Sequence, residues 1–179
     1  LTGVTLLFLV SGTDVPARCA FRPDFPAAAD MKSEERANNP YEREFYGEQW
    51  ALVSNTSRDQ YLGLYFGMTA AWELVDDQGV RDTIRWLVGF SLQKLVDMGW
   101  VLRTREGGSG TTFFGRSDQV LMMLKLGARV DPERWDALYR ETAEAGAGNV
   151  ILPIALETLD PHGSYFKFNL DHITFFGLL

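Results

Sequence analysis

The pattern of apolar and polar residues is helical through the middle of the chain. Large apolar side chains recur every three or four residues, at Tyr61, Leu64, Tyr65, Met68, Trp72 and Val75. Small residues fill the other flank, at Gly63, Gly67, Ala70 and Ala71. This spacing predicts a helix over 57–75 that is buried on several sides. After the turn "VDDQGV", a second apolar stripe predicts a half-exposed helix over 80–98, antiparallel to the first and less buried.

The same arrangement recurs further along the chain. The stretch "GRSDQVLMMLKLG", residues 115–127, again places Asp and Gln before an apolar helix. The stretch "VDPERWDALYRETAEAG" adds an amphipathic helix with Pro132 at a favourable first position. A third inner helix lies within "FKFNLDHITFFGLL", and the three copies predict repeated αα-hairpins. The Gly-Gly-Ser-Gly of 107–110 predicts the tip of a β-hairpin and lacks the ending of a phosphate-binding loop.

The first third of the chain shows little periodicity. The apolar run from Val4 to Val10 predicts a buried strand, because it is too short to span a membrane and no basic region precedes it. Prolines without a regular pattern over 13–56 predict an irregular arm, and its aromatic residues predict that the arm packs on the core. We therefore expect two parts, a strand and arm over 1–56 and a helical domain over 57–179.

Composition restricts the classes of partner. The 179 residues are 46% hydrophobic and 23% charged, as in ordinary globular domains. A net charge of -7 argues against nucleic acid or an anionic membrane, because both are bound mainly by Lys and Arg clusters. No segment predicts a membrane span. A single cysteine, Cys19, excludes an internal disulfide and leaves the compartment open, an extracytoplasmic one included.

Polar residues at the start of the first helix admit two interpretations. Ser57 and Gln60 form the S-x-x-Q pattern of a capping box, and Asp59 in the same turn favours the helix dipole. Alternatively, Arg58, Asp59 and Gln60 line a site, with Asp59 as an acid or base and Arg58 orienting it. The acid–amide pair recurs at the next inner helix, and this fits both interpretations because repeated hairpins need repeated caps.

On these residues the chain resembles the α/α toroids of the six-hairpin glycosidase type, including uncharacterised bacterial proteins of that shape. The resemblance rests on "TSRDQYLGLYFG" and "YFKFNLDHITFFGLL" as inner helices and covers residues 55–179 as a pattern, without a catalytic signature. It implies a barrel of inner helices with a cleft at one mouth. Since the chain offers only about two and a half of the six hairpins, it implies a mainly α protein with an incomplete α/α toroid.

The resemblance also implies a carbohydrate as the candidate ligand. Glycoside hydrolysis needs two carboxyl groups about 5–9.5 Å apart. The acids that begin adjacent inner helices, Asp59 and Asp118, are therefore the catalytic candidates. Side chains that suit sugar rings and hydroxyls are the candidate contacts, namely Arg58, Gln60, Tyr61, Tyr41, Trp50 and His172. Both a glycoside hydrolase or lyase relative and a sugar-binding protein without catalysis fit this pattern.

No metal or cofactor site is predicted. The two histidines, His162 and His172, lack the ligand spacing of a metal site, and His172 within an apolar helix is typical of a hydrogen-bonded core residue. The sequence contains no G-x-S-x-G elbow, and Cys19 has no histidine near it along the chain, so acyl transfer is not predicted.

The alternative function is a non-catalytic interaction or structural helical module that docks on another domain or chain. The last inner helix reaches Leu179 without an outer helix to cover it, and exposed apolar patches mark interfaces. We therefore expect self-association or a place in a longer polypeptide. An open cleft that holds Asp59 and a second acid would favour the carbohydrate hypothesis, whereas a broad exposed apolar face would favour the interaction hypothesis.

Overall fold

The protein is mainly helical in a computed structural model that describes residues 2–105, 107–159 and 165–179. The helices are α1 (Thr2–Ser11), α2 (Ala28–Glu34), α3 (Arg58–Leu74), α4 (Gln78–Asp97), α5 (Ser117–Val130), α6 (Pro132–Gly146), α7 (Leu152–Leu159) and α8 (Tyr165–Leu178). The strands are β1 (Cys19–Phe21), β2 (Pro40–Phe45), β3 (Glu48–Val53), β4 (Val101–Arg103) and β5 (Ser109–Thr112). This confirms the mainly α class.

The helices predicted from periodicity are present close to their predicted bounds. Helix α3 begins directly after Ser57, and α4 follows a turn in which the Asp77 carboxylate accepts from the amide of Val80 at 2.9 Å. That bond satisfies one of the amides left unpaired at a helix start. Pro132 opens α6, and β4 pairs antiparallel with β5 around the glycine-rich tip, so the predicted β-hairpin is confirmed.

The N-terminal apolar run forms helix α1, so the strand predicted over residues 4–10 is wrong. Phe8 and Val10 are buried on this helix. A short apolar run fits a buried strand and a buried helix equally well, and periodicity alone cannot distinguish them. The chain leaves the helix at Gly12, which has a left-handed φ of 67°, and Arg43 donates to the carbonyl of Val10 at 2.9 Å. This bond satisfies a carbonyl that the helix end leaves unpaired.

The arm contains a three-stranded antiparallel sheet, so its predicted irregularity is wrong. Strand β3 lies between β1 and β2. Two left-handed residues, Tyr46 (φ 50°) and Gly47 (φ 75°), join β2 to β3. A two-residue turn with positive φ at both positions matches the twist of a tight hairpin. The sequence signal was weak because tyrosine, rather than Asn, Asp or Gly, occupies the first position.

The described residues divide into two compact units. The mixed unit comprises Leu1–Gln60 and Lys94–Thr112, and it contains the sheet and the β4–β5 hairpin. The helical unit comprises Tyr61–Gln93 and Phe113–Leu179. The division predicted from the sequence was 1–56 and 57–179. It did not anticipate that residues 94–112 belong to the same unit as the N-terminal segment.

The core of the mixed unit packs on both faces of strand β3. Leu52 packs with Val10 of α1 on one face. Ala51 and Val53 point the other way, since side chains alternate along a strand, and pack with Ala28 of α2. The two helices therefore cover the sheet from opposite sides of β3.

Two helical hairpins, α7 and α8 form the helical unit. Helix α4 packs on α3, where the Tyr65 hydroxyl and Ser91 Oγ form a buried hydrogen bond of 2.8 Å. Helix α6 packs on α5, where Trp135 lies against Gly127. Helix α8 packs on α5 through Gly177. Glycine at both contacts allows the helix axes to approach closely, because there is no Cβ between them.

Helix α3 is not more buried than α4, which corrects the predicted order. Its buried residues are Tyr61, Leu62, Tyr65 and Met68. Those of α4 are Ile84, Leu87, Val88, Ser91, Leu92 and Leu95. The small-residue flank of α3 is open, because Gly63 and Gly67 are exposed with no neighbouring atom within 4 Å of an added Cβ. Small residues were therefore a poor indicator of a buried flank.

Gly127→Ala should destabilise the protein by about 1–3 kcal/mol, as overpacking does in other cores. An added Cβ would lie 2.5 Å from Leu92 Cδ2 and 3.1 Å from Trp135 Cγ. The matched control is Gly67→Ala in α3, where space is open and alanine should stabilise the helix by up to about 1 kcal/mol. Urea unfolding measures both, and effects of equal sign would contradict the packing around α5.

Candidate functional site

Ser57 and Gln60 close the first turn of α3, which confirms the predicted capping box. The amide of Ser57 donates to Gln60 Oε1 at 3.0 Å, and the amide of Gln60 lies 3.4 Å from Ser57 Oγ. Gln60 Nε2 also donates to the carbonyl of Arg18 at 2.9 Å, just before β1. Both polar atoms of the Gln60 side chain, predicted to contact a sugar, are thus engaged within the protein.

Ser57→Ala should cost about 1 kcal/mol of unfolding free energy, because it removes the cap acceptor of the first turn. Thermal unfolding followed by circular dichroism measures the change. A variant as stable as the unmodified protein would show that the cap contributes nothing to α3.

Asp59→Asn should change stability by less than about 1 kcal/mol, because the half-buried carboxylate acts mainly on the dipole of α3. Urea unfolding measures this change, and ligand binding is measured beside it. If Asp59→Asn abolished binding of a ligand while stability stayed the same, Asp59 would instead be a carboxylate of a binding site.

Tyr41 and Trp50 lie in the mixed unit, and each is in contact with an arginine. The guanidinium carbon of Arg105 is 4.5 Å from the ring centre of Tyr41, whose hydroxyl donates to the carbonyl of Ser11 at 2.9 Å. The guanidinium carbon of Arg22 is 5.6 Å from the ring centre of Trp50. These cation–π contacts occupy ring faces that were predicted to stack on a sugar.

A buried charge cluster joins α5 to α8 in the helical unit. Arg116 binds Asp118 with two bonds, Nε to Oδ1 at 3.1 Å and Nη2 to Oδ2 at 2.9 Å. The same Nη2 donates to Asp171 Oδ1 at 2.9 Å. The side chains of Asp118 and Asp171 are 0% and 4% exposed, and that of Arg116 is 14% exposed. The predicted catalytic acid Asp118 is therefore inside the protein, held by an arginine.

The cluster brings two carboxylates and one guanidinium together at almost fully buried positions. Asp118 Oδ2 and Asp171 Oδ1 each lie 2.9 Å from Arg116 Nη2, so these two oxygens are separated by at most twice that distance. Burying a charged group is costly unless an opposite charge and hydrogen bonds compensate it, and the Arg116 guanidinium supplies both. The bonds of Arg116 hold the N-terminal end of α5 against the middle of α8.

Tyr61 and His172 lie in different surroundings of the helical unit. Tyr61 is buried and meets Phe113 edge-on, with ring centres 6.0 Å apart, and burial raises the pKa of its hydroxyl well above the usual value. His172 is exposed, with Nδ1 2.8 Å from the carbonyl of Phe168, so its predicted place in the core is wrong. The side chain points outward because Asp171 and Thr174 supply the buried stripe of α8.

The sequence analysis did not predict Arg116 as the shared partner of Asp118 and Asp171. A signal existed in "FNLDHITFFG", where one aspartate interrupts an apolar helix, because a buried aspartate needs a counter-charge. The repeated acid–amide pair did not reveal it. At α3, the Gln60 side chain caps the helix. At α5, Asp118 binds Arg116 instead, and Gln119 Oε1 is buried without a hydrogen-bond partner in the described part of the chain.

Helices α7 and α8 expose a broad set of apolar side chains. We call this the α7–α8 apolar surface, and it comprises Ile151, Leu152, Leu156, Leu159, Tyr165, Phe166, Phe168, Phe176 and Leu179. Tyr165 is 81% exposed and Phe166 57% exposed. The buried residues of α8 are Asp171, Thr174 and Gly177. Phe176 also meets Phe66 of α3 edge-on, with ring centres 5.3 Å apart, so the surface is in contact with α3 at this position.

The remaining predicted features concern metals and membranes. Among the described residues, no group of three or more His, Cys, Asp and Glu side chains could hold a metal ion. His162 lies outside the described residues. Within the same parts of the chain, each helix is too short or too polar to cross a bilayer. The chain matches no protein-family model, no curated protein and no solved structure.

Proposed function

We propose that the helical unit is a non-catalytic interaction module that docks through the α7–α8 apolar surface. The observation that carries the proposal is the exposure of so many large apolar side chains on two consecutive helices. Contiguous apolar patches beyond a few hundred Å² are rare on monomers and mark interaction sites. The burial of Asp118, by contrast, removes one of the two acids on which the carbohydrate hypothesis depends.

The hairpin pattern indicates what kind of surface would fit. Helix α4 packs on α3, and α6 packs on α5, whereas α8 keeps Phe166 and Phe168 exposed. The missing cover is therefore an apolar helix antiparallel to α8, as an outer helix is to its inner helix. We extend the proposal to the architecture, in which these hairpins form part of an α/α toroid.

The occupant we propose is a second copy of the chain, with α8 against α8. A two-fold axis perpendicular to α8 makes the two helices antiparallel and brings identical surfaces together. The chain has a net charge of -7, but Lys167 is the only charged residue among the exposed positions of α8. Repulsion between two acidic copies is therefore weak at this surface, and apolar burial dominates.

Photocrosslinking tests this arrangement directly. A benzoylphenylalanine placed at Phe166 should crosslink purified protein to itself, with the linked peptide mapping to α8. The matched control places the same group at Phe25, which is 50% exposed in the mixed unit. Equal crosslinking from the two positions, or none from Phe166, would overturn the proposal.

A second candidate function, carbohydrate binding or glycoside hydrolysis, is favoured by one observation. Asp118 and Asp171 come from neighbouring helices, and their separation is compatible with the about 5–5.5 Å between the carboxyl groups of retaining enzymes. A sugar would reach them only if α8 moved away from α5. A glycan-binding and oligosaccharide-hydrolysis screen tests this function, and uniformly negative results would exclude it.

A further inference from the structure

A small polar pocket lies in the mixed unit. It is formed by the segment after α1, by Tyr41 of β2, by the residues after β3 and by the β4–β5 hairpin. Its lining is Ser11, Thr13, Val15, Pro16, Ala17, Tyr41, Ser54, Asn55, Thr56, Arg103 and Arg105. The cavity volume is about 20 Å³, far below the about 300–1,000 Å³ of drug-sized sites.

The hairpin that supplies the two arginines is held against the pocket wall. Gly110 of β5 approaches Asn55 so closely that a Cβ there would lie 3.0 Å from Asn55 Oδ1. Arg105 stacks its guanidinium on the ring of Tyr41, 4.5 Å from the ring centre. Tyr41 is in turn fixed by the hydrogen bond from its hydroxyl to the carbonyl of Ser11. These contacts hold the hairpin, and Arg105 with it, at the pocket.

The charge of the lining is positive in an acidic protein. Arg103 and Arg105 line the pocket, and no aspartate or glutamate is among its described lining residues, although the chain has a net charge of -7. Asp14, which lies between two lining residues, is paired with Lys94 at 2.9 Å. The electrostatics of the pocket therefore favour an anion.

Most neutral polar groups of the wall are already bonded to the protein. Thr13 Oγ1 donates to the carbonyl of Val15 at 2.8 Å, and Ser54 Oγ donates to the carbonyl of Asn39 at 3.1 Å. Asn55 Nδ2 donates to Asn38 Oδ1 at 3.0 Å. Recognition of a ligand would therefore rest on the guanidinium groups, whose planar forks match oxyanions with paired bonds.

We propose that this pocket binds a single oxyanion group, a phosphate or a carboxylate, between Arg103 and Arg105. The pocket is too small for a sugar chain. The site does not depend on the α7–α8 apolar surface, so either proposal can fail while the other stands.

Calorimetric titration with inorganic phosphate and, separately, with acetate at constant ionic strength tests the site. We expect one anion bound per chain, and replacement of both arginines by glutamine should weaken binding at least about tenfold, because it removes both charged donors. Tighter binding of phosphate assigns a phosphate ligand, and tighter binding of acetate assigns a carboxylate; either result supports the oxyanion site. The absence of binding by both anions would overturn it.

A control variant separates the site from general charge effects. Arg129→Gln with Arg140→Gln removes the same charge from exposed positions of the helical unit, where the side chains are 48% and 72% exposed. This variant should bind as the unmodified protein does. Equal weakening by the Arg129/Arg140 variant and the Arg103/Arg105 variant would show a nonspecific charge effect and contradict the pocket.

Discussion

Arg116→Met should cost about 3–5 kcal/mol of unfolding free energy, as the loss of one partner from a buried ion pair does. The variant leaves the carboxylates of Asp118 and Asp171 inside the protein without the guanidinium that both contact at 2.9 Å. The two buried carboxyl groups would then lie close together without the guanidinium that bridges them. Urea unfolding at neutral pH measures the loss, which should appear as a lower midpoint with an unchanged slope.

Two further variants show whether the loss comes from the cluster. Arg140→Met removes an exposed partner of Asp136, a pair with 2.9 Å between Arg140 Nε and the carboxylate, and should cost less than about 1 kcal/mol. Arg116→Lys keeps the charge but loses the planar guanidinium that bonds both carboxylates. Its loss of unfolding free energy should therefore lie between those of Arg116→Met and Arg140→Met. If Arg116→Met cost no more than Arg140→Met, the cluster would not be what fastens α8 to α5.

Replacing Phe166 and Phe168 together by serine should abolish self-association. Each large apolar side chain contributes about 1.5–3 kcal/mol when buried, and a two-fold interface loses each one twice. We therefore expect the dissociation constant to rise more than about a hundredfold, since each 1.4 kcal/mol is a factor of ten. Gel filtration over a dilution series measures the change, with circular dichroism to show that the helices remain.

The matched control for this pair is Phe25→Ser, which removes an exposed phenylalanine from the mixed unit. Its dissociation constant should equal that of the unmodified protein. If the Phe25 variant dissociated as readily as the Phe166/Phe168 variant, self-association would depend on exposed phenylalanines in general. The α7–α8 apolar surface would then have no special role.

Periodicity predicted the central helices because their apolar residues repeat over several turns. Helices α3 and α4 lie within a few residues of their predicted bounds, and the capping box at Ser57 and Gln60 has the predicted bonds. These features are local, since each depends on residues within one or two turns. The N-terminal helix and the β2–β3 hairpin were missed because a seven-residue apolar run and a Tyr-Gly turn are weak local signals.

The candidate site was predictable only in part, because its contacts are distant along the chain. Asp59 and Asp118 occupy the same position in a repeated pattern, yet Asp59 is half-buried and Asp118 is fully buried. The difference arises from Asp171, which meets Arg116 across 55 residues of sequence. Periodicity does not encode such a pairing. The pocket near Tyr41 depends likewise on the return of Arg103 and Arg105 to the N-terminal segment.

Sedimentation of the unmodified chain at micromolar concentration tests the central claim most directly. The proposed interaction module predicts reversible association beyond the 20.2 kDa monomer, with a dimer as the first species formed. The association should persist at high salt, because apolar burial rather than charge drives it. A single folded species of 20.2 kDa at every concentration would contradict docking through the α7–α8 apolar surface of a second copy.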